Sequence, residues 1–472
     1  MLLRRFYDEP LAQASYLVGC QATGEALVVD PHRMVDDYIA AAREEGLRIT
    51  HVTETHIHAD FVSGARDLAH RTGARLYLSG QGGPDWTYRF ARASDAVLLG
   101  DGDAFPVGNI RVDVLHTPGH TPEHLSFLIT DGAATSRPMG MLSGDFIFVG
   151  DVGRPDLLER AAHVHGTMDG MARTLYRSLQ RTRALPDYLQ LWPGHGAGSA
   201  CGKALGAVPS TTLGYERMVN WAFTVADEET FVREVLAGQP DPPRYFARMK
   251  ALNRDGPPPL PADTVDTITP WSLADVEARL RDGGGVIDVR PSRAFAAGHI
   301  PGTINVPVSR SFATWVGSIV PPDGDLALIV PRDRARLAAA IRSLRMIGFD
   351  HIAGLADESV LHEWARRGQP LAVSAEIDPA ALAAMPTARV LDVRNDTEWA
   401  LGHVADAMHV PLGTLPERMA DLPTDQPIVV VCAGGTRSAI ALSLLRARGI
   451  ENVLNLRGGF DAWQVAGLPI AT

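Results

Sequence analysis

The sequence predicts an α/β protein built from three successive units. Three observations carry this expectation: the length, the alternation of short apolar runs with helical spacing, and a long internal repeat. At roughly 150 residues per domain, 472 residues correspond to about three domains. A hydrophobic fraction of 46% is ordinary for packed domains and excludes a disordered chain. The net charge of -11 argues against a nucleic-acid partner. Cys20, Cys201 and Cys432 are odd in number and widely spaced, so no disulfide framework is expected. No stretch approaches the ~18 apolar residues of a membrane span. The start, MLLRRFYDEP, lacks the apolar core of a secretory signal. A cytoplasmic, reducing setting with free thiols and no membrane partner is therefore the expectation.

Along the first unit, ALVVDP (26–31) reads as a strand and VDDYIAAAREEG (35–46) as a helix ending at a glycine. ITHVTETH (49–56) reads as a strand opening into a His-rich loop. RLYLSG (75–80) and IRVDVLHTPGH (110–120) continue the pattern. NRDGPPPLPADT (253–264) is rich in Pro and Gly, lacks periodicity and reads as a linker. Beyond it, VIDVRPSRAFAAGHIPGTINVP (286–307) parallels VLDVRNDTEWALGHVADAMHVP (390–411). The offset is 104 residues at Asp288/Asp392, Arg290/Arg394, His299/His403 and Pro307/Pro411. That is too long for a solenoid repeat and suits two copies of one ~100-residue α/β domain. The expected units are 1–255, 265–372 and 375–472.

Four motifs in the first unit each follow an apolar strand: HIHAD (56–60), TPGHTPEH (117–124), SGDFIFVGDVGRPD (143–156) and WPGHG (192–196). Histidines and carboxylates in loops after strands are metal-site material. The ordered set resembles the metallo-β-lactamase superfamily, which implies an αββα sandwich. Most hydrolases of that superfamily have a histidine directly after the HxHxD motif. Here Phe61 stands in that place, and a phenyl ring cannot ligate a second metal.

In the third unit, VVVCAGGTRSAIALSLL (429–445) reads as a buried strand, a tight loop and a helix. Gly434 and Gly435 permit positive φ, so successive N–H groups can converge on one point. The helix N-terminus and Arg437 add positive charge. Together they favour the Cys432 thiolate and cradle an anionic terminal sulfur, with Ala433, Gly434, Gly435, Thr436 and Ser438 forming the loop. This resembles the rhodanese active loop, Cys-x4-Arg. Phosphatases on the related fold have a loop one residue longer, so the spacing favours sulfur over phosphate. In the middle copy Pro331 stands where the nucleophile belongs and Arg336 aligns with Arg437. That copy is expected to be a spacer or docking unit.

The run GDVGRPDLL (150–158) and the rhodanese-like units bring the first unit closest to the persulfide dioxygenases. The whole chain resembles the CstB-type fusions of such a dioxygenase with rhodanese domains. The resemblance implies one Fe(II) per chain, held by His56, His120 and Asp145. A two-His-one-carboxylate set leaves positions open for a persulfide sulfur and O2. It implies that His58, Asp60 and His195 orient ligands or line the pocket. Arg154 is left open between a contact for substrate charge and an ion pair with Asp156. His124, His163 and His165 read as satisfied surface or helix-end histidines. Cys201, six residues after His195, is expected to hold or relay a persulfide near the iron, and Cys20 to pack in a strand. The implied reaction converts a low-molecular-weight thiol persulfide and O2 to sulfite, and sulfite plus persulfide sulfur to thiosulfate at Cys432. A homo-oligomer is a further expectation, since relatives of both domain types self-associate. The alternative is a glyoxalase II-like thioester hydrolase fused to a sulfurtransferase or sulfur-sensing module.

Overall fold

The computed structural model describes all residues except 161–165, 262–264, 322–324 and 424. His163 and His165 therefore lie outside the described residues. The chain forms two compact units: Met1–Leu260 with Met346–Gly348, and Pro261–Arg345 with Phe349–Thr472.

The first unit contains two six-stranded sheets. One follows chain order: β1 (Leu2–Asp8), β2 (Gln13–Cys20), β3 (Glu25–Val29), β4 (Arg48–Thr53), β5 (Arg75–Ser79) and β6 (Val97–Leu99). The other runs in reverse order from β12 (Thr211–Thr212) through β11 (Gln190–Pro193), β10 (Gly140–Gly144), β9 (Leu125–Asp131) and β8 (Ile110–His116) to β7 (Ala104–Val107). Side chains from both sheets, including Val18, Leu27, Phe105, Val112, Phe127 and Trp192, meet in one buried cluster. A second cluster packs the first sheet on the helices Asp36–Glu44 and Ala65–Thr72. A third packs the second sheet on the helices Met168–Thr182 and Glu228–Leu236. The result is helix, sheet, sheet, helix, because each sheet has two apolar faces to cover. β2 and β9 accordingly read as continuous buried runs rather than as alternating ones. Cys20 packs in the inter-sheet core, where it accepts a hydrogen bond from the Asn109 N–H.

The expected linker begins too early. The helix Phe246–Asp255 runs into it, and Asn253 is 1% exposed. Its side chain accepts from the Ser63 N–H at 2.9 Å and donates to the carbonyls of His58 and Phe61 at 2.8 and 2.7 Å. Pro258 offers its carbonyl to Arg33. A segment without periodicity here makes ordered contacts through its amide side chain and its backbone.

In the second unit the earlier copy has a parallel sheet ordered Ile304–Asn305, Val286–Asp288, Leu326–Val330, Ile352–Asp357. The later copy orders Glu376–Ile377, Val453–Leu456, Ile428–Val431, Arg389–Asp392, Met408–His409, again parallel. The shared Asp, Arg and His do the same work in both. Arg290 forks onto Asp288 at 2.7–3.0 Å and reaches the Gly298 carbonyl at 3.1 Å. Arg394 does so onto Asp392 and the Gly402 carbonyl, the latter at 2.8 Å. His299 stacks on Phe295 at 3.8 Å and His403 on Trp399 at 3.5 Å between ring centroids.

Asn253→Leu removes three buried hydrogen bonds and leaves a buried N–H and two carbonyls unpaired. It is expected to destabilise the first unit by about 3 kcal/mol. The midpoint of chemical denaturation measures this, and no shift would remove Asn253 from the architecture of the His-rich loop.

Candidate metal centre and sulfur-transfer loop

The metal-side residues come from loops at the ends of four strands: β4 delivers His56, β8 His120, β10 Asp145 and β11 His195. Asp145 follows Gly144, whose φ is +51° and whose added Cβ would lie 2.6 Å from Thr55 Oγ1 and 2.7 Å from His124 Nε2. Only glycine lets the β10 end pass between those two side chains.

His56, His120 and Asp145 form one compact, fully buried donor group. Asp145 Oδ2 lies 3.9 Å from His56 Nε2 and 3.4 Å from His120 Nε2. The tautomers follow from the other ring nitrogens. His120 Nδ1 donates to the Arg154 carbonyl at 3.0 Å. Thr55 Oγ1 gives its proton to Asp30 Oδ2 at 2.9 Å, so His56 Nδ1 donates to Thr55, also at 2.9 Å. Both Nε2 atoms are therefore lone-pair donors. Both oxygens of Asp145 are buried without a hydrogen-bond partner. Burial pushes His56 well below the ordinary imidazole range and His120 down to about 3, and it pushes Asp145 well above the carboxylate range. Two neutral imidazoles and an orphaned carboxylate around one point are the surroundings of a cation. The residues present fit a metal.

A second group sits beside it: Asp60, His195 and Cys201, also buried. His195 Nε2 lies 3.1 Å from Asp60 Oδ2, and its Nδ1 lies 3.7 Å from Asp145 Oδ1 and 3.2 Å from Ser199 Oγ. Cys201 Sγ lies within 4.8 Å of the donor atoms of Asp60 and His195. Burial, then Asp145 and Asp60, push that thiol well above its ordinary value. Asp60 is pushed up to about 6 by burial. Phe61 is fully buried with its ring 4.5 Å from that of His58.

Sequence reasoning missed Asp30, at the end of β3. Its Oδ1 accepts from the Thr55 N–H at 2.6 Å and from His58 Nε2 at 3.0 Å. Burial alone would lower His58, but the Asp30 charge and hydrogen bond outweigh it and raise the ring to about 9. The usable signal was an aspartate closing an apolar strand in ALVVDP. His124 is corrected: it is fully buried, and its Nε2 accepts the Asp145 N–H at 3.0 Å while Nδ1 donates to Thr117 at 2.8 Å. Arg154 resolves to the ion pair, with Nε and Nη2 on Asp156 at 2.8 and 2.7 Å and Nη1 on the Ala200 carbonyl at 3.0 Å. Its carbonyl, not its charge, serves the site.

In the later copy of the second unit Cys432 is buried at the end of the strand Ile428–Val431. The Gly435 N–H donates to Sγ at 3.1 Å, and Ser438 Oγ lies 3.3 Å away. Gly435, at φ +101°, caps the helix Thr436–Ala447. Gly434 is not among the positive-φ glycines, so one left-handed residue makes the turn. Arg437 forks onto Glu398, both bonds 2.6 Å. Burial raises Glu398, but the Arg437 bonds and charge outweigh it and hold the carboxyl below its usual range. Glu398 escaped the sequence reading because a glutamate on a short helix carries no motif. In the earlier copy Pro331 follows the strand, and Arg336 is exposed and faces Asp333 at 3.3 Å.

Residues 8–195 match the model of the metallo-beta-lactamase superfamily, and residues 272–360 and 378–466 match that of the rhodanese-like domain. A crystal structure of a metallo-beta-lactamase from Staphylococcus aureus is 43% identical, with a TM-score of 0.67. The likeness covers 76% of this chain and 99% of that one, more of this chain than the first unit alone provides. A sulfurtransferase from Allochromatium vinosum is 42% identical over 81 residues, 17% of this chain and 76% of the relative. The chain belongs to both families. The hydroxyacylglutathione hydrolase of Rhodospirillum rubrum is 30% identical over 180 residues, 38% of this chain. The chain spans only 60% of that relative's length.

The metallo-beta-lactamase domain thus carries a His/Asp metal-binding group, and the second rhodanese-like domain carries the cysteine loop. Among the described residues, no helix is long and apolar enough to cross a membrane. Asp30→Ala releases Thr55 and with it the His56 tautomer. It is expected to weaken metal affinity about 10–100-fold, read by metal content after equilibration with a chelator. Glu398→Gln breaks the fork that holds Arg437. It is expected to lower sulfur transfer about tenfold, the scale of a charged hydrogen bond, with metal content unchanged.

Proposed function

We propose that the first domain oxidises a low-molecular-weight thiol persulfide with O2 to sulfite at one Fe(II), and that Cys432 turns sulfite into thiosulfate. The observation that carries this reading is the compact group His56, His120 and Asp145 with Phe61 closing the next position, in one chain with a rhodanese cysteine loop. A ferrous ion held there would supply O2 activation, which zinc cannot. The balance is R–S–SH + O2 + H2O → R–SH + SO3²⁻ + 2 H⁺. His56 and His120 present fixed lone pairs. The buried surroundings of Phe61 and Phe148 exclude water from the sulfur. Cys201, buried beside Asp60 and His195, would hold persulfide sulfur next to the reacting group.

At the third domain, Cys432 takes a sulfane sulfur and becomes Cys432–S–S⁻. The Gly435 N–H and the helix N-terminus face that sulfur. Sulfite attacks it, the Cys432 S–S bond breaks, and thiosulfate leaves with the cysteine thiolate restored. A tethered sulfite consumer raises the chance of capture.

A second reading is a dinuclear centre hydrolysing a glutathione thioester. The group Asp60, His195 and Cys201 favours it, as does the likeness to hydroxyacylglutathione hydrolases. Metal analysis with O2 uptake on glutathione persulfide decides between them. The dioxygenase reading expects stoichiometric iron and one O2 consumed per sulfite. Stoichiometric zinc without O2 uptake would overturn it. Cys432→Ser is expected to abolish thiosulfate while sulfite accumulates.

A further inference from the structure

Cys201 lies in residues 199–206, a segment of turns and bends without helix or strand. Such a segment has no ladder of its own to fix where a thiol stands. It is nevertheless buried at Cys201, which is 2% exposed. Cys201 Sγ lies within 4.8 Å of the donor atoms of Asp60 and His195, and His195 Nδ1 lies 3.7 Å from Asp145 Oδ1. Both Asp145 oxygens are buried without a hydrogen-bond partner, so the thiol stands beside a group that awaits a ligand.

The bonds that hold the segment come from the run GDVGRPD and the residue before it. This run closes a hairpin that begins directly after Asp145. Ile147 and Val152 pair antiparallel across it. The Phe148 N–H donates to the Asp151 carbonyl at 3.0 Å, and the Gly153 N–H to that of Phe146 at 3.2 Å. A Cβ on Gly153 would lie 1.8 Å from the Asp145 carbonyl oxygen and 3.0 Å from His120 Cβ. The hairpin backbone therefore rests directly on two of the metal-side residues.

Asp151 stands in this hairpin and is 1% exposed. Its Oδ1 accepts from the Val152 N–H and from Trp221 Nε1, both at 2.9 Å. Its Oδ2 accepts from the backbone N–H groups of Lys203 at 3.2 Å and Ala204 at 2.9 Å. Two N–H donors on each oxygen satisfy the buried charge. Two of the four belong to the Cys201 segment. On either side of them, Arg154 Nη1 donates to the Ala200 carbonyl at 3.0 Å, and the Gly206 N–H to the Val149 carbonyl at 2.8 Å. The Arg154 carbonyl also accepts from His120 Nδ1. One piece of backbone thus spaces a metal-side histidine and the thiol.

We propose that Asp151 is a positioning residue for Cys201. Through the Lys203 and Ala204 N–H groups it fixes where the thiol meets persulfide sulfur. This rests on the reading of Cys201 as the thiol that holds that sulfur. Asp151 itself touches neither the sulfur nor the donor atoms of His56, His120 and Asp145.

The test uses the full, iron-loaded chain. Alkylation of Cys201 by iodoacetamide is followed by peptide mass spectrometry, with Cys20 and Cys432 as references in the same sample. Asp151→Ala removes all four acceptor contacts, and Asp151→Asn keeps the side-chain size and one acceptor oxygen. Asp151→Ala is expected to speed Cys201 alkylation about tenfold, and Asp151→Asn by less, with iron content and both reference rates unchanged. In sulfite formation from glutathione persulfide, kcat is expected to fall about tenfold with KM unchanged. Asp151→Ala combined with Cys201→Ser is expected to lose no more than Cys201→Ser alone, because the two act as one unit. Unchanged Cys201 alkylation in either folded variant overturns the proposal. So does a double variant whose loss is the product of the single losses. Alkylation that rises at all three cysteines together, with a lower thermal midpoint, overturns it as well and assigns Asp151 to folding. Faster alkylation confined to Cys201, with Cys201→Ser fully active, supports Asp151 as the holder of the thiol and instead removes the reading of Cys201.

Discussion

A single buried carboxylate, Asp30, sets the geometry on which the metal side depends. It sits in the left-handed region at φ 52°, at the end of β3. There it takes three hydrogen bonds from Thr55 and His58, two residues of the His-rich loop. A loop of this kind has many conformations open to it in isolation. Three bonds to one charged acceptor in a dry core remove most of them. Asn253 grips the same loop from its other end through the carbonyls of His58 and Phe61. Between these two clamps the donor nitrogens hold their positions before any cation arrives.

That pre-organisation has a cost that the fold must absorb. Asp145, Asp60, His56, His120 and His195 are all buried together, and burial drives the carboxylates up and most of the rings down. A cation at the centre reverses this, because it stabilises the anionic carboxylate and the neutral imidazole at once. The sandwich supplies the opportunity. Its two sheets end together at one edge, so loops distant in sequence converge there.

The second unit makes the opposite use of repetition. The Asp–Arg fork and the His–aromatic stack recur in both copies because each anchors its own loop to its own sheet. They are structural, so losing the nucleophile at Pro331 leaves them intact. The copy without a cysteine keeps its fold.

The sequence by itself determined the α/β class, the two-copy repeat, the four His- and Asp-bearing motifs whose family resemblance points to His56, His120 and Asp145, and the Cys432 loop. Each of these is written in short-range pattern: strand, turn, chemistry-bearing residue, helix. Tertiary structure alone decided the rest. It brought Asp30, Asn253 and Glu398 to their partners across 25 to 195 residues of chain. It turned His124 from a surface residue into a buried acceptor for the Asp145 N–H. It resolved Arg154 into an ion pair whose carbonyl orients His120. The physical reason is the same in each case. A hydrogen bond in a dry interior depends on where the partner atom lies in space, and local sequence carries no record of that.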